Sequence, residues 1–289
     1  MRGEVKALPE PFLERLRRIV PSRKWDAVAN TFAHPKPTTF RVNILKATVS
    51  DGRAQVEAQG FRVEAVSWYR EAFCLRGGRL RELQETEAYR QGAIYVQGLS
   101  SMVPPLILDP RPDELVLDLT AAPGSKTTQM ACLMRGQGRI VANDNARVRH
   151  YKLRANVEQQ AAKNVELMLR HGESIGRTHP GRFDRVLLDA PCSVEGRFQV
   201  SEPTSYRYWR PAKIREMVRK QKRLLSSAIF ALRPGGVLVY STCTFAPEEN
   251  EGVLDWALIR VGGGIHLERI TSPVPNHLPG LTAWEGRSF

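Results

Sequence analysis

Val186-Leu187-Leu188-Asp189-Ala190-Pro191-Cys192 and Val237-Leu238-Val239-Tyr240-Ser241-Thr242-Cys243 are two apolar runs, each closing on polar residues and a cysteine. Both read as strands covered on two faces, because such strands show continuous apolar runs rather than alternation. In a doubly wound sheet, ligands bind in the crevice beyond the carboxyl ends of the strands. That rule directs Cys192 and Cys243 toward one crevice, beside Asp189. A thiolate is a soft, strong nucleophile. Two converging thiols next to an acid point to covalent catalysis with a helper group.

Outward from these runs, further apolar strand candidates fall at 115–119, 139–143 and 165–169, with 185–188 and 237–241 closing the set. Helical stretches at 125–134, 147–160 and 212–232 lie between them. Strands alternating with helices predict an α/β fold: a doubly wound, mainly parallel sheet spanning 106–289. A helix at 248–260 and a sixth strand at 265–270 follow, then a tail from Thr271 rich in Pro and Gly. Ahead of this unit, Phe12, Leu13, Leu16, Ile19 and Val20 recur at helical spacing and make 1–34 a helical segment. Pro35 and Pro37 end it. Residues 35–105 read as a small α+β unit, with strands at 38–45, 61–66 and 73–75 and a helix at 49–59.

Of the 289 residues, 42% are hydrophobic, enough for a core, and the apolar runs are of strand length, too short for a membrane span. Residues 1–20 mix Arg2, Lys6, Glu10, Glu14 and Arg15 and do not read as a secretory signal. The 43 Lys and Arg against 30 Asp and Glu give +13, which favours a polyanionic partner, most simply nucleic acid. The four cysteines form no CxxC pair, so no metal site is expected, and their scatter suits the reducing cytoplasm. Cys74 and Cys132 read as small buried hydrophobes.

The first strand candidate of the large unit ends in Asp118-Leu119-Thr120-Ala121-Ala122-Pro123-Gly124-Ser125-Lys126-Thr127-Thr128. A small-residue turn into a helix lets backbone N–H groups approach a ligand. It is neither GxxxxGK[ST] nor GxGxxG. The next strand ends in Asn143-Asp144, which puts an acid where ribose hydroxyls are bound. This pairing suits a nucleoside cofactor without a pyrophosphate, S-adenosylmethionine being the obvious candidate. Asp144 serves equally well as an N-cap for the helix from 147.

Taken together, Ala121-Ala122-Pro123-Gly124-Ser125-Lys126-Thr127, Asp189-Ala190-Pro191-Cys192-Ser193 and Thr242-Cys243-Thr244 with Pro247-Glu248-Glu249-Asn250 closely resemble the Nop/Sun family of S-adenosylmethionine-dependent RNA cytosine-C5 methyltransferases. Pro37-Thr38-Thr39-Phe40-Arg41-Val42-Asn43 and Gly92-Ala93-Ile94-Tyr95-Val96-Gln97 look like that family's N-terminal RNA-binding domain. The resemblance implies a Rossmann-like class I methyltransferase sheet preceded by a small RNA-binding-like domain. It implies that Thr120, Ala121, Ala122, Pro123, Gly124, Ser125 and Lys126 line the methionine end of the cofactor. Asp144 would hold the ribose with Arg149 nearby, and His171 the adenine, with Glu173 the nearest acid. Asp189 would face cofactor and base, Cys243 would be the nucleophile, Cys192 the assisting thiol, and Lys126 a cation beside Cys243. Ribosomal RNA is the more frequent family substrate, transfer RNA the other; a monomer is expected.

The chemistry needs such a set, because carbon 5 of cytosine is too weakly nucleophilic until a thiolate adds at carbon 6. The base must also leave its stack to reach the pocket. Two rival readings stand beside this one: a DNA methyltransferase with Cys192 as nucleophile, and a nucleic-acid-binding scaffold without turnover. The family sheet has a seventh, antiparallel strand; after 270 no apolar run supplies it, so the chain is expected to lack it. Lys126 could also merely solvate a helix start. Pro247-Glu248-Glu249 reads as a helix N-terminus, and Tyr206-Arg207-Tyr208-Trp209-Arg210 either stacks on RNA or caps the core. In the helix at 212–232, Arg215, Arg219, Lys220, Lys222 and Arg223 form the face opposite Ile214, Met217, Val218 and Leu225. If that face meets phosphates, RNA affinity should drop roughly 10³-fold between about 50 and 200 mM salt. A filter-binding series that stays flat would count against it.

Overall fold

The computed structural model of the chain describes residues 7–289; Arg2 and Lys6 of the expected helical segment lie outside the described residues. The apolar stripe predicted near the start folds as α1 (Glu10–Ile19), which buries Phe12, Leu13 and Leu16. Val20 and Pro21 leave the helix, and α2 (Trp25–Ala33) follows. These helices dock on the large unit: Phe12 meets Phe198 edge-on at 4.9 Å between ring centroids, with Phe32 and Trp209 around it. Arg15 reaches Glu248 at 2.6 Å.

The small unit is a four-stranded antiparallel sheet of order β2-β3-β1-β4, built from β1 (Thr39–Val42), β2 (Arg62–Ala65), β3 (Ala72–Arg76) and β4 (Ile94–Val96). Phe40 and Val42 alternate inward onto Val56 of α3 (Val49–Ala58), Phe73 and Ile94. Arg41 points the other way yet is also buried, because the opposite face of β1 packs on the large unit. Two short helices, α4 (Leu80–Glu85) and α5 (Glu87–Arg90), precede β4, and α6 (Leu99–Leu108) leads onward.

The large unit is a five-stranded parallel sheet of order β7-β6-β5-β8-β9. Its strands are β5 (Leu115–Asp118), β6 (Arg139–Asn143), β7 (Val165–Met168), β8 (Phe183–Asp189) and β9 (Leu232–Ser241). Crossover helices α7 (Ser125–Leu133) and α8 (Arg147–Gln159) cover one face, with Met130, Leu153 and Val157 against Val116, Ile140 and Leu187. After the single turn α9 (Ile175–Thr178), α10 (Pro211–Ala231) covers the other, with Leu224, Leu225 and Ala228 against Leu117, Val186 and Leu188. Alternate residues of one apolar run thus feed opposite cores, as two-sided strands require. Strand order reverses between β5 and β8, and this switch point is where a cleft opens.

The expected sixth strand is a correction. Residues 265–270, after α11 (Glu251–Val261), take no regular structure, and Leu267 and Ile270 are each 63% exposed. Apolar alternation makes a strand only where a ladder partner and a covering layer exist, and these residues do not pair with the outer edge of β9. The tail instead ends in a hairpin, β10 (Ala283–Trp284) with β11 (Arg287–Ser288), whose Trp284 lies under Arg15 and Arg18. Among the described residues no helix is long and apolar enough to cross a membrane. Because Phe12 sits in the seam between α1 and the large unit, Phe12→Ala should cost about 3–5 kcal/mol of stability. A urea midpoint unchanged from the parent would show that the helices are not docked there.

Candidate active site

A cleft of about 930 Å³ lies beyond the carboxyl ends of β5, β6, β8 and β9. Residues 120–123, Ser125, Lys126, Asp144, Arg149, Asp189, Cys192 and Cys243 all line it, so most of the predicted site is brought together. Gly124 and His171 are the exceptions. Gly124 starts α7 with φ 108°, a left-handed conformation that suits glycine, and its α-carbon faces Leu153 rather than the cleft. His171 is exposed at the start of a 3₁₀ turn (Gly172–Ser174) that carries Glu173 into the cleft in its place.

The two thiols meet. Parallel pairing of β8 with β9 sets Asp189 beside Ser241, so the loops after both strands leave the sheet at one level. Cys192 Sγ lies 3.2 Å from Cys243 Sγ and accepts the Cys243 backbone N–H at 3.3 Å. Cys192 is 9% exposed, whereas Cys243 is half-buried at the cleft wall. The environments push the two apart. Cys243 is lowered to about 7, chiefly by its hydrogen bond with Cys192, with burial opposing and the cations of Arg197 and Lys126 assisting. Cys192 is pushed well up, by its bond to Cys243 and by burial. Either sulfur could donate across this contact, and the opposite directions of the two shifts favour charge on Cys243 over Cys192.

Lys126 does not approach Cys243 alone. Its Nζ sits 2.6 Å from Asp189 Oδ2 and donates to Ser101 Oγ at 3.0 Å. Ser241 Oγ donates to Asp189 Oδ1 at 3.1 Å, and Thr120 Oγ1 to the Asp189 carbonyl at 2.8 Å. The acid therefore has fixed orientation at the switch point. On the other side, Asp144 does not cap α8, whose N-cap is Ala146. Its buried carboxylate accepts the N–H groups of Ala122 (3.3 Å) and Ala146 (3.0 Å), and Arg149 approaches at 3.1 Å. It thereby holds the small-residue loop against the end of β6.

Several residues of the site were not among those the sequence singled out. Asp118, at the end of β5, is fully buried in the cleft wall, and desolvation pushes it up to about 7 despite the hydroxyl of Thr127. Its signal was the same strand-end acid that marks Asp189. Lys36, between two prolines, reaches the Gly196 carbonyl beside Cys243, and both it and Arg197 line the cleft. The reading of Pro247-Glu248-Glu249 as a plain helix start is corrected: α11 begins at Glu251, and Glu249 is buried, accepting from Ser193 N (3.0 Å) and Gln221 Nε2 (2.7 Å). Glu195, also buried, accepts from Thr244 Oγ1, Phe245 N and Trp209 Nε1. In the aromatic-Arg segment Tyr206 and Trp209 pack on Phe198 and cap the core, while Tyr208 is 74% exposed beneath Arg207. Cys132 is buried as expected but bonds Asn43 Oδ1 at 3.3 Å, and Cys74 is half-buried. No metal-holding cluster of His, Cys, Asp and Glu occurs among the described residues.

Residues 105–270 match the family model described as 16S rRNA methyltransferase RsmB/F, and 8–99 that of the N-terminal domain of 16S rRNA methyltransferase RsmF. The chain is 38% identical over 280 residues to ribosomal RNA small subunit methyltransferase F of Serratia proteamaculans, covering 96% of this chain but only 58% of that protein. It is also 38% identical to tRNA (cytosine(49)-C(5))-methyltransferase of Pyrococcus abyssi, covering 99% of this chain and 89% of that protein. A crystal structure of a methyltransferase homolog protein from Pyrococcus horikoshii is 36% identical with a TM-score of 0.71, covering 87% of this chain and 83% of that one.

The thiol asymmetry has a direct readout. Iodoacetamide should modify Cys243 ahead of the other cysteines, with a rate that climbs as pH rises through about 7, the value set by its partners, rather than the ~8.5 of a free thiol. Mass-spectrometric mapping that finds Cys192 reacting first, or an ordinary midpoint, would reverse the assignment.

Proposed function

The chain belongs to the RsmB/F family of 16S rRNA methyltransferases, within the Nop/Sun group, and from that premise we propose that it transfers a methyl group from S-adenosylmethionine to carbon 5 of a cytosine in RNA through a covalent bond between Cys243 Sγ and carbon 6. The observation that carries this reading is the 3.2 Å contact between two thiols in one cleft with the Lys126–Asp189 pair. Ribosomal RNA is the first substrate reading, supported by the family description. Transfer RNA is the second, supported by the near full-length match to the Pyrococcus abyssi relative. The cleft's donor set fits the cofactor: the acid of Asp144 for ribose hydroxyls, Glu173 further along, and the backbone of residues 120–123 for its amino-acid end.

When bound, S-adenosylmethionine supplies an electrophilic methyl group on a sulfonium. The Cys243 thiolate adds to carbon 6, and the ring electrons move to carbon 5. Asp189, oriented by Lys126 and Ser241, accepts from the amino group of the base and fixes its orientation, while the neighbouring Lys126 ammonium offsets the negative charge that develops on the ring during addition. Cys192 donates its S–H to Cys243 before attack and lies beside the sulfur that must later depart. Once carbon 5 carries the methyl group, its proton passes to a base in the cleft, the electrons of that C–H bond re-form the ring double bond, and the carbon–sulfur bond breaks with its electron pair returning to the Cys243 sulfur. All of these side chains come from one chain, which supports a monomer, and a pair of free thiols in contact suits the reducing cytoplasm.

Cys243→Ala should abolish tritiated methyl transfer to RNA lacking the modification, and mapping of the labelled base in the parent reaction identifies the substrate. Turnover retained by this variant would reject the nucleophile. Cys192→Ala should instead let an RNA–protein adduct accumulate, seen as a denaturant-resistant band; normal turnover without such a band would make Cys192 structural.

A further inference from the structure

Arg41 is wholly buried at the seam between the four-stranded sheet and α7, and every hydrogen-bond partner it has is neutral. A buried guanidinium without a carboxylate is costly, and it persists where surrounding groups fix it. Two arms of contacts leave it. One holds the first turn of α7, through Thr128 Oγ1 at 2.8 Å and the Ser125 carbonyl at 3.4 Å, immediately after the loop at 120–124. The other runs through Gln97, whose Oε1 accepts from Arg41 Nε at 2.8 Å and whose Nε2 donates to the Ser101 carbonyl at 3.1 Å. Ser101 Oγ then accepts from Lys126, and Lys126 holds Asp189. The guanidinium also lies over the ring of Tyr95, and Tyr95, Gln97 and Ser101 all line the cleft.

We propose that Arg41 is a positioning residue for methyl transfer: with Gln97 and Ser101 it fixes the start of α7 and the ammonium of Lys126, so the small sheet sets the geometry of the cofactor loop and of the Lys126–Asp189 pair. The inference rests on the functional reading above and adds to it a structural duty for a unit otherwise read as RNA-binding. A hydrogen-bonded chain transmits position because each link is directional and buried. A shift of about 1 Å at the reacting groups can cost about 10²-fold in rate.

The full chain carrying Arg41→Met, Arg41→Lys or Ser101→Ala tests it, with S-adenosylhomocysteine affinity read by calorimetry without RNA and kcat separated from KM for RNA. Arg41→Met should weaken S-adenosylhomocysteine about 10-fold and lower kcat about 10²-fold, with KM for RNA within about twofold. Arg41→Lys should recover part of both losses, since one ammonium cannot span both arms. Ser101→Ala removes a single half-buried hydroxyl and should lower kcat about 10-fold while leaving KM in place. It decides the matter if Arg41→Met does not fold. Parental kcat in Ser101→Ala, or losses confined to KM for RNA, would overturn the inference alone. A parent chain that binds no S-adenosylhomocysteine would overturn the functional reading and the inference with it.

Discussion

The site depends on one register, the parallel pairing that sets Arg185 to Asp189 against Val237 to Ser241. Each residue of slip would displace one loop by about 3.3 Å along the strand and turn its side chains to the other face. Either change would separate sulfurs that stand 3.2 Å apart. The register is held from both faces, since Val186 and Leu188 enter one core and Leu187 the other. Two-sided burial therefore acts as a catalytic constraint: the apolar runs that build the sheet also determine where the thiols emerge.

Beyond the strand ends no ladder satisfies the backbone, and the Cys192 loop is largely buried while the Cys243 loop lines the cleft. Buried carboxylates and a hydroxyl pair do that work. Glu249 takes the Ser193 N–H, Glu195 takes the Phe245 N–H, and Ser193 Oγ meets Thr244 Oγ1 at 2.7 Å, so the Cys192 loop and the Cys243 loop are tied to each other as well as to the sheet. Desolvation pushes Glu249 up to about 7. A carboxyl with a raised value binds more protons folded than unfolded, so its share of stability falls as pH rises from its ordinary range through about 7. In the proposed reaction, ionisation of Cys243 in the same range works toward activity.

What the sequence made legible follows from residue type. Apolar runs ending in polar residues gave the five strands, their parallel sense and the crevice that gathers Thr120, Lys126, Asp144, Asp189, Cys192 and Cys243. What it concealed were charges in the interior. Glu195, Glu249 and Arg41 look like solvent-facing residues until the partners that neutralise or bond them are present, and those partners lie 28 to 91 residues away for many of the contacts. The run at 265–270 failed in the opposite sense: its alternation satisfies a strand locally, but pairing is a property of the sheet edge it would have to join. Of the two residues offered for the adenine end, the 3₁₀ turn at 172–174 places Glu173 at the cleft and leaves His171 exposed outside it.

The coupling of the two thiols also gives a reason for having two. The largest cause raising Cys192 is its bond to Cys243, and the largest cause lowering Cys243 is the same bond. In the proposed reaction the Cys243 sulfur becomes bonded to carbon, its charge passes to the base, and that mutual bias is removed. In that reaction Cys192 can then pass its proton to the departing Cys243 sulfur, and the Cys192 thiolate so formed can take the proton that carbon 5 loses. A single thiol could be activated by Arg197 and Lys126, but those cations favour charge on sulfur at every stage. A second thiol changes its bias as the reaction advances, which fixed charges cannot do.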